Sequence, residues 1–254
     1  MQETWSIALR VVLAFALAML GGAISISIAV SHERLCRLIS FAAGTLLGVT
    51  LFSIIPESLT AMPLWQLLVA LASGYAVFFL ISKYVFHVCP ACAASHFDQA
   101  TTHRFSKIAA AMVIALGVHS TMDGLALAVG RDAETIERLS AALLLAVCVH
   151  KVPEGVALCA LLLAAGYRRA VALSWVASVE ATTLLGGVLG LWVLPQISAV
   201  WPDLLVAHVG GGFLFLALHA VFGELVKHGR KLVLVSFVIG MSLIAALNQA
   251  LRLL

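Results

Sequence analysis

His119 and Asp123 stand four residues apart, and so do His150 and Glu154. In both places a Gly follows the carboxylate and x-Ala-Leu follows the Gly. His119-Ser120-Thr121-Met122-Asp123-Gly124 leads into Leu125-Ala126-Leu127, and His150-Lys151-Val152-Pro153-Glu154-Gly155 into Val156-Ala157-Leu158. On a helix, positions i and i+4 share a face, so each stretch presents an imidazole beside a carboxylate. Both stretches lie within long apolar runs. Ionisable groups at membrane depth are costly and mark ion or substrate paths. Two such pairs have the chemistry of a metal site buried in a bilayer.

The bilayer itself is legible in the composition. Of 254 residues, 63% are hydrophobic and only 11% charged, with mean hydropathy +1.10, the profile of a multi-span membrane protein. A helical span needs about 20 apolar residues, and eight runs qualify: 6–29, 39–60, 64–82, 108–130, 139–165, 170–193, 203–226 and 232–251. The connections are tight apart from one loop at about 83–107, so the expectation is one transmembrane domain over 1–254. The run after Arg10 continues to Val30, too long for the core of a signal peptide, and is expected to remain as a span. With the N-terminus outside, ten of the 15 Lys and Arg fall in cytosolic loops: Arg34, Arg37, Lys83, Arg104, Lys107, Arg168, Arg169, Lys227, Arg230 and Lys231. Arg10, Arg131, Arg138 and Arg252 fall outside. This positive-inside bias places both termini on the non-cytosolic side of a cell or inner membrane. The basic residues thus report topology, and no nucleic-acid partner is expected. Trp5, Trp65, Trp192 and Trp201 sit at span ends, as interfacial aromatics do.

The fourth span has its centre at His119, the fifth near Val152 and the sixth beside Glu180. Consecutive spans run in opposite directions, with a rise of about 1.5 Å per residue. At equal depth the antiparallel pair therefore sets His119 beside Glu154, and Asp123 beside His150. Gly124 and Gly155, with Ala128 and Cys159 four residues on, allow close helix approach. Pro153 removes a backbone donor and can kink the fifth helix, freeing a carbonyl near the site.

At these residues the chain resembles the ZIP (Zrt-, Irt-like protein) family of divalent-metal transporters. His150, Pro153, Glu154 and Gly155 meet the fifth-span family pattern in full, and His119 to Gly124 form a variant of the fourth. Glu180 is similar to a sixth-span glutamate of the family. Ile54-Ile55-Pro56-Glu57 resembles the end of its second span, and Gly211, His219 and Glu224 resemble its seventh-span pattern. The resemblance implies an all-α fold of about eight helices, arranged as a 3+2+3 inverted-repeat bundle. A trace of the repeat survives in Gly44-Thr45-Leu46-Leu47 through Glu57 against Gly211-Gly212-Phe213-Leu214 through Glu224. His119, Asp123, His150, Glu154 and Glu180 are then the candidate metal ligands, with Ser120 at the periphery. Ser120 and Met122 replace the usual Asn and Pro, implying a straighter fourth helix, and Asp123 is one methylene shorter than the usual Glu. Lys151 stands where some members carry a ligand for a second metal. Its ammonium cannot ligate, but it can supply the charge of a second cation, either in that role or as a salt bridge to Asp123 or Glu154. One transport metal is expected.

The function implied is movement of a divalent metal into the cytosol by alternating access. Imidazole and carboxylate ligands suit zinc, iron, manganese or cobalt. Zinc is the first expectation, with cadmium a further alternative. No resident cofactor and no catalytic residues are expected, and no Walker-type loop points to ATP. The ligands bind metal only when deprotonated, so acid on the loading side should weaken capture. The partners are the metal ion and the lipid bilayer, with a homodimer left open. Two other readings remain: a membrane-embedded zinc hydrolase, against which stands the lack of His-Glu-x-x-His, and a metal sensor without net flux. In the long loop, His87, Cys89, Cys92, His96, Asp98 and His103 offer zinc-ligand chemistry without the spacing of a closed structural site. Cys36, Cys148 and Cys159 are expected to pack, while His32, His208 and His228 face water.

Overall fold

A computed structural model describes residues 2–27, 32–86, 102–129, 134–196, 200–227 and 230–253. These residues are almost wholly helical and contain no strand. Hydrocarbon offers no partner for backbone N–H and C=O groups, so spanning segments must satisfy them internally. We number the helices α1 (Gln2–Ser27), α2 (His32–Val49, continued by Thr50–Ile54 and Ile55–Ala61), α3 (Leu64–Leu80, continued by Ile81–Phe86), α4 (Thr102–Ala128), α5 (Glu134–Ala164), α6 (Arg169–Val193), α7 (Val200–Lys227) and α8 (Arg230–Leu253). Among the described residues, seven of these are long and apolar enough to cross a membrane. The Cys89/Cys92 loop lies outside the described residues.

Local chemistry explains the breaks. Pro56 has no N–H for the carbonyl of Phe52, four residues back. The helix widens to a π register over Thr50–Ile54, and Asn248 of α8 donates its Nδ2–H to that Phe52 carbonyl. Pro63 forces the residue before it to be extended, and Met62 accordingly has φ −145° and ψ 156°, which separates α2 from α3. Helix α5 ends in a Schellman motif. Gly166 takes φ 88°, Tyr167 N–H donates to Leu162 O, and Gly166 N–H to Leu163 O. Pro153 is accommodated within an unbroken α5.

The helices associate as two groups. Helices α1, α4, α5 and α6 pack mainly on one another, as do α2, α3, α7 and α8, and the broadest contact between the groups is α2 on α5. Within the groups, four crossings bring backbones together through glycines that face each other's helix. Gly21 meets Val152 O while Gly155 meets Ala18 O (α1–α5). Gly124 meets Thr183 O while Gly186 meets Thr121 O (α4–α6). Gly44 meets Phe237 O while Gly240 meets Phe41 O (α2–α8), and Gly74 meets His208 O while Gly211 meets Leu71 O (α3–α7). A Cβ at any of these eight positions would overlap a carbonyl oxygen. Lipid tails are as apolar as Leu, so such close packing drives membrane helices together.

The crossings obey a two-fold pattern. Exchanging α1 with α6, α2 with α7, α3 with α8 and α4 with α5 turns each crossing into another of the four. This is the inverted repeat expected from sequence, with Gly44 and Gly211 as equivalents. Gly124 and Gly155 meet backbones on α6 and α1. Of the small residues expected four positions further on, Ala128 lies in the same α4–α6 crossing, where a Cβ at Gly190 would overlap its own, and Cys159 is buried.

Outside the bundle, Trp5, Trp65, Trp192 and Trp201 are exposed, as are Leu68 and Val69 of α3 and Val235 and Ile239 of α8. Such apolar exposure fits a surface bathed in lipid.

Candidate metal centre

Helices α4, α5 and α6 bring the polar residues to one buried place. His119, Asp123, His150 and Glu154 each offer a ligand atom, and these four atoms lie within 4.8 Å of one another. The α4–α6 crossing at Gly124 and the α1–α5 crossing at Gly155 fix the backbone one residue after each carboxylate.

His150 Nε2 lies 3.1 Å from Asp123 Oδ2 and 3.9 Å from Glu154 Oε2. Its Nδ1–H donates to the Ala146 carbonyl at 2.8 Å, which directs Nε2 into the cluster, the orientation that an outer partner gives a metal-ligating imidazole. His119 Nε2 lies 3.5 Å from the same Asp123 oxygen. The depth pairing of Asp123 with His150 thus appears directly, whereas the neighbour of Glu154 across the seam is Ser120. Its hydroxyl donates to Glu154 Oε1 at 3.2 Å and lies 3.5 Å from Glu180 Oε2.

Lys151 is wholly buried and organises the other side. Its Nζ lies 3.1 Å from Asp123 Oδ2, 2.9 Å from Glu154 Oε2 and 2.9 Å from Glu180 Oε2. It also donates to Ser120 Oγ at 2.7 Å. The alternatives left open by the sequence, a bridge to Asp123 or to Glu154, are both realised, with Glu180 added. Three buried carboxylates therefore surround one ammonium. Asp123 Oδ1 and Glu180 Oε1 are buried without a hydrogen-bond partner, which is expensive in a dry interior. One divalent cation beside Lys151 brings three positive charges to three carboxylates, with two neutral imidazoles completing the donor set. Donors of this type at this spacing suit a borderline transition metal.

Of the candidate ligands, His119, Asp123, His150 and Glu154 form the cluster, while Glu180 and Ser120 stand behind it on Lys151. Glu224 is placed in α7, with its side chain outside the described residues. His219 donates its Nδ1–H to Phe215 O at 3.2 Å, and its ring stacks on Phe215. His208, expected to face water, pairs instead with Ser73 Oγ at 2.8 Å. Cys159 is buried and Cys148 partly so, both as free thiols. Sequence reasoning missed two aromatic neighbours, Phe78 and Phe213, whose rings touch the imidazoles from α3 and α7. An apolar residue in an apolar span carries no local signal of such a contact.

A bundle of membrane-capable helices around a buried His/carboxylate cluster defines an integral, multi-pass membrane protein equipped to hold a divalent metal. The family model of the ZIP zinc transporters matches residues 91–248, more than half of the chain and all of the cluster. The chain belongs to the ZIP family, whose members are metal transporters. Among curated protein sequences, none matches it significantly.

Proposed function

We propose that this protein is one transmembrane domain, residues 1–254, that carries a divalent transition metal, zinc foremost, into the cytosol. The observation that carries the reading is the convergence of His119, Asp123, His150 and Glu154 within 4.8 Å, buried between helices of a metal-transporter family. His119, Asp123, His150 and Glu154 bind the ion. Glu180 and Ser120 set the position of Lys151, and Glu180 takes part in charge balance. Lys151 supplies the charge that a second cation would bring, so one metal is carried per cycle.

The ligands all belong to α4 and α5, within one helix group. Sliding of that group along α2, α3, α7 and α8 would present the site to each side in turn. The positive-inside distribution supports termini on the non-cytosolic side, in a cell or inner membrane. Metal gradient, membrane potential or a counter-moving proton drives the flux. The protein itself needs no resident cofactor and performs no bond-making chemistry.

Metal uptake into sealed proteoliposomes tests the proposal. The intact protein should show saturable uptake, lost in His119→Ala and in Glu154→Ala. Stoichiometric metal binding by the intact protein without uptake would overturn the carrier reading and favour a sensor or a hydrolase.

A further inference from the structure

The imidazoles of His119 and His150 face ligand atoms on one side and phenyl rings on another. Phe213 of α7 meets both edge to face, with centroids 6.1 Å from His119 and 5.9 Å from His150 and interplanar angles of 71° and 69°. Phe78 of α3 meets His119 alone, at 6.0 Å and 79°. Phe78 is itself held in place. It stacks on Phe215 at 26° and lies over Gly212, where a Cβ would collide with the ring. Phe213 and Phe78 are only 1% and 7% exposed.

The two sides of this contact belong to different helix groups. The ligands sit on α4 and α5, and both rings come from α3 and α7. We infer that Phe213 and Phe78 are positioning residues that form a two-ring cover. It seals the ligand cluster against water until one helix group moves along the other. The inference rests on the transporter reading and adds to it the part that keeps the site closed between access states. Edge-to-face ring contacts are attractive but weaker than metal coordination. The cover can therefore part while the ligands keep their cargo. Phenyl rings offer the ion no ligand atom, so cargo is not retained by the stationary wall as the site passes it. Excluding water there also keeps the electrostatic attraction between ion and carboxylates strong.

The geometry predicts a selective pattern of exposure. The metal-free, full-length protein in proteoliposomes is treated with diethyl pyrocarbonate, and histidine modification is followed by peptide mass spectrometry. His208, which pairs with Ser73 between α3 and α7 and touches neither ring of the cover, serves as internal reference. Phe213→Ala should raise the rate at both His119 and His150 by up to about tenfold relative to His208, the upper end expected when each imidazole loses one such ring contact. Phe78→Ala should raise it at His119 and leave His150 near its starting rate. Unchanged rates in both variants would overturn the cover. So would equal exposure of both imidazoles in Phe78→Ala, or a rise shared by His208, which marks general loosening. The readout requires no flux. Absence of uptake by the intact protein would remove the carrier reading without touching this result, and saturable uptake with unchanged modification would remove the cover alone.

Discussion

With Lys151→Met, three buried carboxylates lose the ammonium that touches each of them. Removing one partner of a buried ion pair costs about 3–5 kcal/mol, so the metal-free variant should unfold at a clearly lower temperature in detergent. Zinc should restore more stability to it than to the intact protein, because the ion then supplies missing charge; equal shifts in thermal scans with and without zinc would count against this. Lys151→Asp makes a sharper test. It replaces the ammonium with a fourth carboxylate beside Ser120, Glu154 and Glu180, and equilibrium dialysis should find two bound metal ions where the intact protein holds one. At this scale the sequence was informative because the ligands announce themselves. His and carboxylate at i, i+4, repeated 31 positions apart, place a pair of groups on each of two helices regardless of tertiary detail. The antiparallel depth argument also anticipated the Asp123–His150 contact. It did not anticipate that Lys151 would touch all three carboxylates, since a long flexible side chain reaches partners on neighbouring helices that spacing along its own helix does not specify.

For the helices, glycine contacts separate positions that look alike in sequence. Gly124 and Gly117 lie on the same helix, two turns apart. A Cβ at Gly124 would overlap Thr183 O, whereas one at Gly117 meets nothing within 4 Å. Gly124→Ala should therefore spread the α4–α6 crossing and lower the unfolding temperature, an overpacking cost of about 1–3 kcal/mol. Gly117→Ala should be neutral or stabilising by up to about 1 kcal/mol, from helix propensity alone. Fluorescence-detected size-exclusion after a heating series distinguishes the two, and equal losses would contradict the crossing geometry. Span ends were readable because apolar run length and Pro or Gly punctuation are local signals: Pro63 separates α2 from α3, and Gly166 ends α5. The choice of partner helix was not readable, because each small residue needs a counterpart far away in sequence. Gly155 with Ala18 and Gly44 with Phe237 are instances. The π segment at Thr50–Ile54 also depends on a distant group, Asn248, for the carbonyl that Pro56 leaves free.

For the whole molecule, the proposed orientation makes the native cysteines useful. Cys89 and Cys92, in the loop between α3 and α4, should resist a membrane-impermeant maleimide in intact cells and react once the membrane is permeabilised. A cysteine introduced at Gln2 should behave in the opposite way. Labelling of the loop from outside would invert the orientation inferred from the basic residues. The overall architecture was legible to the extent that eight apolar runs and a paired motif imply a helical bundle with a repeat. Its division into two groups emerges only from which glycines meet.

The ratio of three carboxylates to one lysine carries an electrical consequence. With all three carboxylates ionised, the loaded site is neutral and the empty one holds two negative charges. In the proposed alternating-access cycle the membrane voltage would then act on the empty site, and an inside-negative potential would push it back outward. Each charge crossing the full field gains about 2.3 kcal/mol per 100 mV. Imposed potassium diffusion potentials should accordingly speed repeated turnover while leaving a single delivery of bound metal nearly indifferent to voltage. The protein would harvest the cell's resting potential on the return stroke.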